Sequence, residues 1–242
     1  MKLYERCMTG VSEVLSSGVT RALDVNHVSW EDVGNSQLIF QEDMAYELGG
    51  NDTASVSGIF YTQNAVTSYA ESSIEKDRDE IVLIGPDLPE ISDNHCYGRL
   101  VFVQLDEAES ESTERFYQLL RAIEYRRYHV NPDGFMMRIS TMDQKETVRV
   151  SKEALARGLD FAKVGKLMLE EYHKLPQVKA VKIAFITDPS MDFASLREYA
   201  KQSEDITKAL DHLLHEVNMD CKSCGLKEIC EEVQEMIPSI MN

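Results

Sequence analysis

Val178-Lys179-Ala180-Val181-Lys182-Ile183-Ala184-Phe185-Ile186-Thr187, closed by Asp188-Pro189, is the stretch on which the fold turns. From Val181 the run is apolar at nearly every position, as in a strand covered on both faces rather than one with a wet side. Two runs of the same kind lie upstream. Glu80–Ile84 stops abruptly at Gly85-Pro86-Asp87, and Leu100–Leu105 is bounded by polar residues. Buried strands of this kind, alternating with helices, predict an α/β chain: a mixed sheet with helices packed on it. The crowding of strand candidates before Thr113, which include Ser36–Gln41 and Ser57–Tyr61, keeps an α+β arrangement as the alternative.

Outward from these strands the periodicity changes to that of helices. Thr113–Tyr128 places Phe116, Leu119, Leu120 and Ile123 on one face, with acids from Asp106 to Glu114 suited to the positive end of a helix. After the turn Asn131-Pro132-Asp133-Gly134 come extended pieces at Phe135–Ile139 and Thr147–Val150. Ser151 then reads as the N-cap of a short helix ended by Gly158. Asp160 opens a helix running to about Lys174, and Ser203–Val217 forms the last long one, with Leu3–Leu23 helical at the start and a polar, helix-compatible stretch at 67–78. The reading divides the chain into an N-terminal helical segment (1–40), an α/β domain (41–217) and a cysteine-rich, metal-binding tail (218–242).

Composition narrows the function. The chain has 242 residues, 43% hydrophobic and 28% charged, which is ordinary for a folded protein. Its net charge of −17 argues against nucleic-acid partners, which require a basic surface. No apolar run is long enough to span a membrane, and the start Met1-Lys2-Leu3-Tyr4-Glu5-Arg6 lacks the apolar core of a signal peptide, so a cytoplasmic protein is expected. The charge is uneven. Arg115–Lys182 holds 14 Lys/Arg against 8 Asp/Glu, a local +6 that leaves −23 for the rest. Such a basic middle suits a small anionic ligand, although solvated helix faces produce the same count.

The five cysteines are Cys7, Cys96, Cys221, Cys224 and Cys230. Three fall in Cys221-x2-Cys224-x5-Cys230. Two thiolates two residues apart can converge on one ion or cluster, and Lys222 and Lys227 favour the thiolate form. The cysteines are therefore candidate ligands of an iron–sulfur cluster or, alternatively, zinc; small buried hydrophobes in a tail helix are the competing reading. Both centres normally take four ligands, and Cys7, Cys96, His215, a partner's residue or a substrate could complete the set. Other features carry less. Gly49-Gly50 reads as a turn before a phosphate cradle, and His95-Cys96 are neighbours that point apart in an extended chain. Asp188-Pro189 sits where α/β sheets bind ligands. Trp30 reads as packing.

The segment Thr147-Val148-Arg149-Val150-Ser151-Lys152-Glu153-Ala154-Leu155-Ala156-Arg157-Gly158-Leu159 resembles part of acetyl-CoA synthase, the β subunit of the CO dehydrogenase/acetyl-CoA synthase complex. Ala45–Gly50, Val82–Asp87, the Arg-bearing helix at 114–128 and Val181–Pro189 follow in the family's order, over roughly residues 40–230. The resemblance implies a coenzyme A-engaging α/β domain. Arg149, Lys152 and Arg157 become candidates for the ligand's phosphates, with Arg126, Arg127 and Arg138 behind them. It also implies partners among the components of that complex or corrinoid proteins, in anaerobic one-carbon metabolism; a homo-oligomer is left open. Three departures matter. Thr147 and Val148 stand where the family has an aromatic residue, the Cys224–Cys230 spacing is shorter than the family's, and no later Cys-Gly-Cys follows to chelate nickel. A complete acetyl-CoA synthase is not expected. The reading is of a non-catalytic or accessory relative, with an enzyme using an open three-cysteine centre for redox or for acyl or one-carbon transfer as the alternative.

Overall fold

A computed structural model describes residues 2–35, 37–50, 52–63, 78–106, 112–215 and 225–240, with side chains as far as Glu235 in the last segment. In chain order the elements are α1 (Lys2–Leu15), β1 (Thr20–Ala22), β2 (Met44–Leu48), β3 (Ser55–Thr62), β4 (Glu80–Ile84), β5 (Tyr97–Leu105), α2 (Thr113–Arg126), β6 (Phe135–Ser140), β7 (Lys145–Ser151), α3 (Lys152–Ala156), α4 (Phe161–Tyr172), β8 (Val178–Ile186), α5 (Phe193–Leu214) and α6 (Lys227–Ile240).

Four of the expected strands, β3, β4, β5 and β8, join β1 in a five-stranded sheet of order β1-β4-β8-β5-β3. It is mixed: β4 runs parallel to β8 and β5 to β3, while β5 and β8 are antiparallel. With helices packed on it the class is α/β. The unbroken apolar runs are explained by burial, since β3 and β5 are buried along their whole length and β8 at all but Lys179. Alternation assigns the layers. Gly58 turns toward Ala200 of α5, and α1 packs on both α5 and β3. The opposite face carries Ser57, Arg99 and Phe185, the last stacked on Phe161 of α4. From the stretch read as an N-terminal helical segment, α1 is part of this core and β1 extends the sheet by pairing with β4.

A second, antiparallel sheet of order β2-β7-β6 lies over β3 and β5. The backbone N–H of Ser57 donates to Gln144 O (2.8 Å), and Ser55 Oγ donates to Glu146 O (2.5 Å) while accepting from Glu146 N–H (2.9 Å). The small sheet thereby covers the free edge of β3, which would otherwise present open hydrogen-bonding groups. Three expectations differ from the structure. The helix read over Leu3–Leu23 ends at Leu15, and Thr20–Ala22 pairs with β4 as a strand instead. Residues 37–41 are not a strand: 37–40 have no regular structure, tied to the small sheet where the Ile39 carbonyl accepts from Arg149, and Gln41 begins a turn; Ser36 itself lies outside the described residues, as does 64–77. α5 begins ten residues before Ser203, at Phe193, where Asp192 accepts from Ser195 N–H as the N-cap.

At the end of α4, His173 Nε2 lies 2.8 Å from both carboxylate oxygens of Asp79, whose Oδ1 also accepts from Val181 N–H. Donating to Asp79, and lying beside its charge, raises the pKa of His173 above the ordinary 6.5. A raised histidine pKa stabilises the fold fully below about pH 6.5, and that contribution is lost as pH rises through the folded value. The urea midpoint is therefore expected to fall between about pH 5.5 and about pH 8.5, and to fall less in His173→Gln. Equal slopes for the two proteins would remove the staple as the cause.

Candidate functional site

Arg149 leaves the middle of β7, and its neighbours in the sheet are fixed by register: Glu47 on β2 and Met136 on β6. β7 alternates strictly, with Glu146, Val148 and Val150 buried and Thr147, Arg149 and Ser151 turned outward. Arg138 pairs with Thr147, so it projects from the same outer face as Arg149. Arg149 is 31% exposed; its Nε donates to Glu47 Oε2 and its Nη1 to the Ile39 carbonyl, both at 3.2 Å. Ser151 caps α3 as expected, accepting from Glu153 and Ala154 N–H. Lys152, at the start of that helix, donates from Nζ to Glu42 O (2.9 Å).

Arg157 closes α3. Its guanidinium pairs with Asp133 and lies over the Trp30 ring, 5.0 Å from the centroid. Trp30 is anchored in turn, its Nε1–H donating to Asp133 O (2.8 Å). The three cations of the expected phosphate face thus share a feature invisible in their spacing. Each grips the segment from Trp30 to Glu47, so the basic face and that segment form one surface. Trp30, read in sequence as packing, puts an aromatic ring beside Arg157, although Thr147 and Val148 supply none.

Arg126 and Arg127 belong elsewhere. They end α2, where Arg126 pairs with Glu171 of α4 (2.9 Å) and Arg127 with Glu124 (3.3 Å). Arg127 is only 6% exposed and donates to the Tyr128 hydroxyl at 3.1 Å.

Sequence reasoning missed Arg99 and Glu146. Arg99 Nε and Nη2 reach Glu146 Oε2 at 2.9 and 2.8 Å, with relative exposures of 1% and 0%, and Ser57 Oγ donates to the same oxygen at 3.0 Å. This buried pair joins β5 of the large sheet to β7, the strand that carries Arg149. Its sequence trace is slight, an arginine placed directly before the apolar run from Leu100.

The cysteines divide. Cys221 and Cys224 lie outside the described residues. Cys230 sits in the second turn of α6, partly buried against the core beside Ile229, with its N–H donating to Leu226 O (2.8 Å). Among the described residues, no group of three or more His, Cys, Asp and Glu side chains is arranged around a common point. Of the candidate fourth ligands, Cys7 is buried in α1, and burial pushes its thiol up to about 11. Arg6 of α1 pairs with Glu232 of α6 (3.0 Å), which brings the element carrying Cys7 against the one carrying Cys230. Cys96 donates to Thr187 O (3.2 Å), and burial holds its thiol up at about 11. His215 is engaged by Asp211 (2.9 Å). Asp188 closes its own turn, accepting from Ser190, and Gly49 packs its backbone against Glu146 O.

The family model of the CO dehydrogenase/acetyl-CoA synthase complex beta subunit matches residues 28–191. The chain belongs to this family. No curated protein sequence matches it. The part shared with the beta subunit family runs from just before Trp30 to the loop ahead of α5. It contains the basic face, the Trp30 segment and the buried Arg99–Glu146 pair, and it ends before Cys221, Cys224 and Cys230. No helix among the described residues is long and apolar enough to cross a membrane.

Proposed function

We propose that this relative of acetyl-CoA synthase is a cytoplasmic accessory protein of anaerobic one-carbon metabolism that binds a metal centre and a coenzyme A-like anion. The observation that carries the reading is the family match over residues 28–191, which takes in every residue of the basic face. Arg149, Lys152 and Arg157 contact the phosphates, with Arg138 beside them on the same sheet face. Their present partners do not oppose this. Half-exposed ion pairs such as Arg149–Glu47 and Arg157–Asp133 are worth only about 0–1 kcal/mol, so a dianionic phosphate can replace the carboxylates. Arginine forks then hold the phosphate through paired hydrogen bonds. Trp30 offers the ring face for an adenine, in place of the aromatic residue missing at Thr147 and Val148.

Cys221, Cys224 and Cys230 hold the metal centre. The donor set fits: three thiols within ten residues, two of them in the C-x2-C spacing of cluster and zinc sites. An iron–sulfur cluster there would supply electron transfer or an open coordination position, whereas zinc would supply a structural knot. The partner is a component of the CO dehydrogenase/acetyl-CoA synthase complex or a corrinoid protein.

One anaerobic preparation tests both halves. Iron and sulfide, or zinc, are expected in stoichiometric amount and absent from Cys221→Ala/Cys224→Ala. Trp30 is the single tryptophan, so its fluorescence reports on one place. Coenzyme A is expected to change it saturably, and Arg149→Ala/Lys152→Ala to weaken binding about tenfold or more. Metal-free wild-type protein would sink the metal half, and an indifferent Trp30 signal the other.

A further inference from the structure

A cavity lies where the chain leaves α2 and enters β6, bordering the basic face at Gln37 and Met136. It has a volume of about 210 Å³, below the roughly 300–1,000 Å³ typical of drug-sized ligand pockets. Val130, Phe135, Met136, Met137 and Ile139 supply apolar lining, Gln37, Tyr128 and Asn131 supply polar lining, and Arg127 is the one charged residue there.

Arg127 is 6% exposed, and its bonding is incomplete. Nη2 donates to Glu124 and to the Tyr128 hydroxyl, whereas the Nε–H is buried without a partner. Buried donors are almost always satisfied, and a buried guanidinium edge left open marks a place for an acceptor. The charge balance agrees. Glu124 gives one oxygen to Arg127 and the other to Arg121, so one carboxylate faces two guanidinium groups. Glu204 approaches from α5, but burial first and Glu124 second push its carboxyl upward toward the neutral form, and Lys208 lies 3.6 Å from it.

A small chamber of mixed lining with one incompletely bonded guanidinium selects its ligand by chemistry. A neutral apolar molecule would leave the Nε–H unmet. A phosphate dianion would bring a second negative charge into a lining that holds one charged residue, a costly desolvation. A carboxylate on an apolar body meets both demands, and the two methionines adapt to its shape. We propose that this cavity binds a small monocarboxylic acid, its carboxylate accepting from Arg127 and its apolar body lying against β6. The assignment is independent of the metal and coenzyme A reading.

The test uses the full chain labelled with ¹³C at the methionine methyls, titrated with isovalerate and benzoate and, as neutral matches, isoamyl and benzyl alcohol. The Met136 and Met137 signals are expected to move saturably with the acids and hardly at all with the alcohols. Arg127→Lys, which keeps the charge but removes the Nε–H, should weaken binding about tenfold. Met137→Trp, which fills the chamber and leaves Arg127 in place, should abolish the acid-dependent shift of Met136 even if Arg127→Lys fails to fold. The proposal is overturned if the acids leave both methyls unmoved, if the alcohols move them equally, or if Met137→Trp still binds.

Discussion

Glu146→Ala is expected to destabilise the protein by about 3–5 kcal/mol, the usual cost of stranding one member of a buried ion pair. Removing the carboxylate leaves the Arg99 guanidinium in the core at 1% exposure and takes from Ser57 the acceptor of its hydroxyl. Arg99→Met should cost a similar amount by stranding Glu146, one of whose oxygens, Oε1, already lies buried without a hydrogen bond. The revealing case is the double variant Arg99→Met/Glu146→Leu. Apolar replacements of a whole buried pair are often neutral or better, so the double variant should be more stable than either single. Urea unfolding at pH 7 measures all three. If the two losses simply add in the double variant, the pair is not coupled as the geometry requires. The pair also bears on the proposed coenzyme A site, because it seats β7, and with it Arg149, on the large sheet. Glu146→Ala should therefore weaken coenzyme A binding, a secondary effect that Arg99→Met/Glu146→Leu should partly restore.

What was legible in the sequence followed the strength of local signals. Val178–Ile186, Glu80–Ile84 and Leu100–Leu105 were plain because burial on both faces removes polar residues from a strand, and each becomes a strand of the large sheet. Ser36–Gln41 misled for the opposite reason. Leu38 and Phe40 are 67% and 60% exposed, so its apolar residues reflect a covering segment with only Ile39 turned inward. The part of α5 before Ser203 was missed because it buries only Phe193, Leu196 and Ala200 among polar neighbours, too sparse a stripe to read. Ser203 is buried only because its hydroxyl donates to the Ile59 carbonyl across the layer (2.6 Å). The basic residues were recognisable as a group, but what orders them was not. Ile39 and Glu42 act through backbone carbonyls, which leave no mark in a sequence, and Trp30 meets Arg157 only through the fold. The Arg99–Glu146 pair spans 47 positions and obeys no local period, so only the register of β3, β5 and β7 reveals it. The cysteine spacing was the clearest motif, and two of its three members lie outside the described residues.

Gly134→Ala should be nearly as damaging as breaking the buried pair, and it would act on the surface that carries Trp30. Gly134 has φ +74, in the left-handed region that side chains with a Cβ avoid. A Cβ built there would also lie 2.0 Å from the Cβ of Ala154 and 3.3 Å from that of Ser151, both in or beside α3. The first of these neighbours has no flexible end that could swing aside, so α3 or the turn must shift. Backbone strain costs about 1–3 kcal/mol and overpacking about as much again, for an expected loss of about 2–5 kcal/mol. Gly134 N–H donates to Gln37 Oε1 (2.6 Å) and its carbonyl accepts from Ser151 N–H (2.9 Å), so the displacement reaches both sides of the basic face. The neighbouring Asp133 pairs with Arg157 and accepts from Trp30, and Trp30 fluorescence in the folded protein should change with the substitution. The double variant Gly134→Ala/Ala154→Gly separates the two causes. Removing the Ala154 methyl relieves the clash but not the backbone strain, so about half of the loss should return beyond what Ala154→Gly costs alone, as a thermal-melt cycle would read. No recovery at all would mean that the left-handed backbone, and not the contact with α3, is what fixes glycine at this turn.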